Sequence, residues 1–163
     1  MAGKRPSLAS PAVLIATGLG SGYLPKAPGT WGSLLAAGLA WPIVMLAGSV
    51  GLLVAAAVIA VVGVWATGVY VTRTGEDDPG PVVIDEVAGQ WLTLVVCPLD
   101  PVWWLVGFVA FRVADIAKPW PASWIDRRMH SPTGVMLDDI VAGAYAAVLV
   151  WGMSAVITAI PQP

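Results

Sequence analysis

The sequence predicts an all-α, polytopic membrane protein with about four to five membrane-embedded helices, and three observations predict it. Apolar residues make up 58% of the chain and charged residues only 11%, less than half of the roughly 25% found in a soluble domain. Mean hydropathy is +0.81. The charges are also segregated: all ten acidic residues lie between Glu76 and Asp139, and Trp31–Thr72 carries no charge at all. A chain of 163 residues has room for one domain, 1–163, and not comfortably for two.

Residues 1–10 read as a polar tail. Lys4 and Arg5 precede an apolar run, Ala12–Leu19, that is short and broken by Gly18, so no cleaved signal peptide is expected. The stretch TGLGSGYLPKAPGTWGS (17–33) is too rich in Gly and Pro for one continuous helix. Trp31–Ala47 and Gly51–Thr72 follow as apolar segments on either side of a tight Gly48–Ser49 turn. Each approaches the roughly 20 residues that a bilayer requires, and together they read as a helical hairpin.

After the polar stretch 73–81, Val87–Cys97 is apolar but short. Val102–Ala117 follows it across CPLDP. This pair reads as a short, tilted or re-entrant hairpin with its tip at Pro98–Pro101, tolerable where protein or water covers the irregular backbone. Residues 118–139 are polar again, and Ile140–Ile160 is a final span. Lys4, Arg5, Lys26, Arg73, Lys118, Arg127 and Arg128 all fall on one side of this topology, and the opposite turns carry no Lys or Arg. By the positive-inside rule that side is the cytoplasm, and the C-terminal Pro-Gln-Pro is outside.

Composition also limits the chemistry. A single cysteine, Cys97, rules out an internal disulfide and a Cys-rich zinc site. A single histidine, His130, argues against a His-ligated metal. Any ion would rest on oxygen ligands, which suit magnesium, calcium or manganese. No basic cluster is large enough for nucleic acid. Oligomeric state has no signature in the sequence.

Two segments resemble each other. VVIDEVAGQW (82–91) and VMLDDIVAGAY (135–145) each place an acidic pair ahead of Ala-Gly. Both pairs are expected in the first turn of an apolar helix, with Gly89 and Gly143 about one turn deeper, where small residues let helices approach. Asp85, Glu86, Asp138 and Asp139 would then converge at the cytoplasmic interface. Capping of the helix dipole, at about 0.3–1 kcal/mol, accounts for one carboxylate per helix. Two adjacent pairs in so uncharged a chain ask for a divalent cation, because clustered carboxylates suppress one another's ionisation.

Around them stand candidate anion binders. Lys26, Thr30 and Ser33 lie in the Gly/Pro stretch, and Arg112 and Lys118 flank Asp115. Arg112 and Lys118 also suit snorkelling anchors. The Gly-rich loop is no Walker A sequence. Cys97 lacks an anion-binding loop with Arg, no aspartyl-phosphate motif is present, and one histidine is too few for a histidine-nucleophile lipid phosphatase. Hydrolysis by metal-activated water remains. A cation-coupled transporter is the reading from another class, but it predicts acids at mid-bilayer rather than at helix ends.

Four stretches carry a resemblance: GLGSGYLPKAPGTWGSLLA (18–36), DDPGPVVIDEVAGQW (77–91), FRVADIAKPWPASWIDR (111–127) and GVMLDDIVAGAYAA (134–147). They resemble, in order, the phosphatidylglycerophosphatase A family of bacterial membrane enzymes. The resemblance implies a Mg²⁺-dependent phosphatase at the cytoplasmic face of the inner membrane, with a phospholipid substrate. Its family-like residues are Lys26, Pro28, Thr30, Asp85, Glu86, Arg112, Asp115, Lys118, Asp126, Asp138 and Asp139. Asp85, Glu86, Asp138 and Asp139 would hold the metal. Lys26, Thr30, Ser33 and Arg112 would bind substrate, with Lys26 the first choice for an internal phosphodiester. Asp115, Lys118 and Asp126 would serve catalysis, either acid orienting the water or acting as base. Asp78 with Pro79 departs from expectation, since a cation would be more comfortable there beside a phosphate.

Overall fold

Proline marks where four of the described helices begin. It lacks an N–H that a first helical turn would leave unpaired, and its fixed φ suits that turn. Pro11, Pro28, Pro101 and Pro132 each open a helix. The structure, a computed structural model, describes residues 5–159, so Lys4 and the C-terminal Pro-Gln-Pro, expected on opposite faces, lie outside it. In order the elements are α1 (Pro11–Ala16), a 3₁₀ turn (Ser21–Tyr23), α2 (Pro28–Thr74), α3 (Ile84–Leu94), α4 (Pro101–Ala117), α5 (Ala122–Arg128) and α6 (Pro132–Ala159). The described residues contain no strand, and the fold is all-helical as expected.

The long α2 is interrupted at Gly48, whose φ of 66° and ψ of −174° are not helical. A straight helix would separate Gly32 from Gly63 by about 45 Å at 1.5 Å per residue. Yet a Cβ on Gly32 would lie 2.7 Å from Val83 Cβ, and one on Gly63 would lie 3.3 Å from Ile84 Cγ2. The two arms therefore meet adjacent residues, and the chain reverses at Gly48. This is the hairpin expected from the Gly48–Ser49 turn.

α2 and α6 are long and apolar enough to cross a membrane. Leu46, Val61, Val148 and Trp151 are exposed on them. α3, at 11 residues, extends only about 16 Å against a hydrocarbon core of about 30 Å. It lies inside the bundle against α2, α4 and α6, most of its residues are buried, and the Trp91 indole N–H donates to the Ala36 carbonyl at 2.8 Å. At the tip between α3 and α4, Asp100 caps α4, its Oδ1 accepting from the backbone N–H of Val102 at 2.9 Å and of Trp103 at 3.2 Å.

The two Ala-Gly repeats do pack on each other. A Cβ on Gly143 would run into the Gly89 carbonyl oxygen and lie 2.9 Å from Gly89 Cα. The Thr93 hydroxyl locks the contact by donating to the Gly143 carbonyl at 3.1 Å. One expectation needs correction. The polar composition of 118–139 hides α5 and the start of α6, which begins at Pro132, so Asp138 and Asp139 sit well inside α6 rather than in its first turn. Ser131, whose hydroxyl accepts from the Gly134 N–H at 3.2 Å, and Pro132 begin the helix early. Thr30 and Ser33 likewise lie on α2, not in a loop.

Gly143→Ala should therefore destabilise the protein by roughly 1–3 kcal/mol through overpacking. Gly152→Ala on the same helix, where a Cβ meets nothing within 4 Å, should be neutral or stabilising by up to about 1 kcal/mol. Thermal unfolding in detergent measures both. Equal behaviour of the two variants would remove the helix contact from the account.

Candidate active site

Four helix segments bring charge to one end of the bundle: the start of α3, the end of α4, α5 and the second turn of α6. Between them and the loop after α2 lies a cavity of about 590 Å³. Its wall carries eight carboxylates and two full cations, Lys118 and Arg127.

Three carboxylates converge within it. Asp85 and Glu86 from α3 and Asp139 from α6 can each offer an oxygen such that all three atoms lie within 4.8 Å of one another. Asp139 is buried, and Asp85 Oδ1 and Glu86 Oε2 are buried atoms with no hydrogen-bond partner. Acceptors so placed carry a desolvation cost of roughly 1–3 kcal/mol each, more when ionised, and they repel one another. Protons or a cation must offset both effects.

Asp138, adjacent in sequence, lines the same cavity but pairs with a cation. Its Oδ2 accepts from Lys118 Nζ at 2.6 Å, and Lys118 also pairs with Asp126. This one ammonium ties the end of α4 to both α5 and α6. Half-burial alone would favour the neutral amine, but the bonds to Asp126 and Asp138 outweigh it and hold the Lys118 pKa above the usual lysine range. The backbone there is left-handed, with φ 42°, a conformation unfavourable for a non-glycine residue by about 1–2 kcal/mol. A helix C-terminus would favour Gly at this position. Lysine stands there and carries the two ion pairs.

A third group centres on Arg112. Its Nη1 lies 2.6 Å from Asp115 Oδ2 and donates weakly to the Ser33 hydroxyl at 3.4 Å. Ser33 is buried and donates to the Gly29 carbonyl at 2.8 Å. Asp115 lines the cavity, whereas Arg112, Ser33, Thr30 and the exposed Lys26 do not. Of the residues predicted to bind substrate, then, none forms the cavity wall. Arg112 and Ser33 stand directly behind it.

Sequence reasoning missed Gly29. A Cβ there would collide with Glu86 Oε1 and lie 3.0 Å from Arg112 Nη1, so glycine lets the start of α2 close over Glu86. The only signal was the Pro-Gly opening that helix. Asp77, Asp78, Arg127 and His130 on the wall were missed as well. Asp78, the residue out of place in the resemblance, belongs to that wall.

Fold and site together define a class: an all-helical protein with helices able to cross a membrane and an acid-lined cavity at one end of the bundle. A model of the family Phosphatidylglycerophosphatase A matches residues 14–154, and the chain belongs to that family. It is 38% identical over 155 residues to phosphatidylglycerophosphatase A of Escherichia coli, covering 90% of this chain and 86% of that one. The enzyme of the same name from Haemophilus influenzae is 35% identical, covering 92% and 93%. A Bacteroides thetaiotaomicron protein, provisionally named a phosphatidylinositol-3-phosphatase, is 38% identical, covering 90% and 94%. No solved structure matches the chain. Family membership makes the chain a phosphatase of phosphatidylglycerol metabolism.

The ion pairs of Lys118 are unequal. The Asp138 side chain is 7% exposed and that of Asp126 is 37% exposed. Lys118→Met should destabilise by roughly 1–3 kcal/mol, because it strands a buried acceptor. Asp126→Asn should destabilise by no more than about 1 kcal/mol. Adding Asp138→Asn to Lys118→Met should recover part of the loss. A double variant no more stable than Lys118→Met, measured by thermal unfolding, would contradict the pairing.

Proposed function

We propose that the chain hydrolyses the terminal phosphomonoester of phosphatidylglycerophosphate with a divalent cation, Mg²⁺, held by Asp85, Glu86 and Asp139. The convergence of these three carboxylates carries the reading. The residues suit such an ion: all are hard oxygen donors, as Mg²⁺ prefers, and two present buried oxygens without a partner. An anionic phosphate entering a wall of eight carboxylates and two cations also needs positive charge beside it. A divalent cation bound there supplies that charge and Lewis-acid activation of the hydrolysis.

The chain's own residues would do the rest. Lys118 has three N–H donors. Two are taken by Asp126 and Asp138, leaving one for a non-bridging phosphate oxygen as charge develops. Asp138, grouped by its spacing with the metal ligands, serves in this reading to fix Lys118. Asp115 lines the cavity within electrostatic reach of Glu86 and Asp139 and is held by Arg112. It orients the attacking water and accepts its proton. Asp126, committed to Lys118, is the less available base. Another lipid phosphomonoester is the second reading, favoured by the name of the Bacteroides relative.

Release of phosphate from phosphatidylglycerophosphate by the purified protein, abolished by EDTA and restored by Mg²⁺, tests the reaction. Asp85→Asn, Glu86→Gln and Asp139→Asn should each lower turnover by about a hundredfold or more. Mg²⁺ should raise the unfolding temperature of the wild type and not of Asp139→Asn. Full activity in EDTA would sink the metal assignment.

The site is further proposed to face the cytoplasm of a bacterial inner membrane, crossed several times by the chain. The support is the gathering of Lys26, Arg73, Lys118, Arg127 and Arg128 toward the polar stretches. In a Cys97→Ser background, a cysteine introduced at position 78 should react with an impermeant reagent only after the cells are opened. Labelling in intact cells would reverse the topology.

A further inference from the structure

The cavity wall holds a cation that the proposed catalytic arrangement leaves unused. Lys118 is committed to Asp126 and Asp138, and Arg112 is paired with Asp115 behind the wall. Arg127 lines the cavity, is exposed, and makes no ion pair among the described residues. An unpaired guanidinium is unexpected in a wall so rich in carboxylates. Its position follows from its neighbour: Asp126, one residue earlier on α5, is pinned by Lys118, which is itself pinned on Asp138 of α6. The rim helix is thus tethered beside Arg127 and presents it at the cavity.

A site built on Asp85, Glu86 and Asp139 can serve one phosphate. A lipid with a terminal monoester and an internal phosphodiester brings a second anion about a glycerol away. In so acidic a cavity that second anion meets repulsion unless a cation faces it. The planar fork of a guanidinium matches two phosphate oxygens, which an ammonium does not. We infer that Arg127 holds the internal phosphodiester of the lipid substrate and so selects lipids with two phosphates over lipids with one. This assignment rests on the lipid-phosphatase reading above. It replaces Lys26, the choice suggested by sequence, which is exposed and off the wall. His130 lines the same cavity.

The test uses the full-length protein in mixed micelles with Mg²⁺, assayed on phosphatidylglycerophosphate and on phosphatidic acid, which lacks the internal diester. Arg127→Ala should lower kcat/KM for phosphatidylglycerophosphate about tenfold or more, mostly through KM. The loss on phosphatidic acid should be much smaller, so that the ratio between the two lipids falls by a similar factor. Arg127→Lys should recover part of that ratio. Because Arg127 is exposed, both variants should unfold at the wild-type temperature. Parallel losses on the two lipids, or an unchanged ratio, would overturn the assignment and leave the phosphatase reading standing. Wild-type protein that hydrolyses neither lipid would remove both.

Discussion

The close approach of α3 and α6 at Gly89 and Gly143 is the constraint on which the rest of the site depends. Neither glycine has room for a side chain, since each would drive a Cβ into the other helix's backbone. At that separation the acids one turn nearer the polar end, Asp85 and Glu86 on one helix and Asp139 on the other, must share a small volume. The packing imposes an electrostatic problem that apolar helices cannot relieve. A cation-dependent phosphatase is the reading that turns the problem into a function.

Around this contact the remaining charges are arranged in ion pairs that do not include the three acids. Arg112 is taken by Asp115 and Lys118 by Asp126 and Asp138. Neither basic residue pairs with Asp85, Glu86 or Asp139 among the described residues. That separation matters, because a guanidinium lodged among the three would neutralise them and compete with a metal. Lys118 has the further role of joining α4, α5 and α6 at one point, with its left-handed backbone conformation offset by two ion pairs.

The apolar part of the fold serves as the frame. The α2 hairpin turns at Gly48 and returns both arms to Val83 and Ile84, the residues just ahead of the acidic pair. Trp91 ties α3 to the first arm through the Ala36 carbonyl, and Phe111 is buried beside Ala142 and Ala146. α3 is short and mostly buried, so its acid-bearing first turn is positioned by protein on several sides rather than by lipid. Gly29 completes the enclosure by letting the start of α2 sit against Glu86.

Much of this was legible in the sequence. Hydropathy and charge segregation alone determined the all-helical class. The Gly48–Ser49 break determined the hairpin, and the repeated acid-acid-Ala-Gly pattern determined that α3 and α6 would be neighbours. Those features are local, or depend on a periodicity read within one segment. What the tertiary structure decided was the division of labour among the acids. Asp138 and Asp139 are adjacent on one helix and look alike in the sequence, and only the rotation of α6 settles that Asp139 joins α3 while Asp138 meets Lys118. The start of α6 at Pro132 was masked by the polar composition ahead of it. Gly29 and Arg127 draw their significance from side chains distant in sequence, and no pattern within their own segments could disclose what they face.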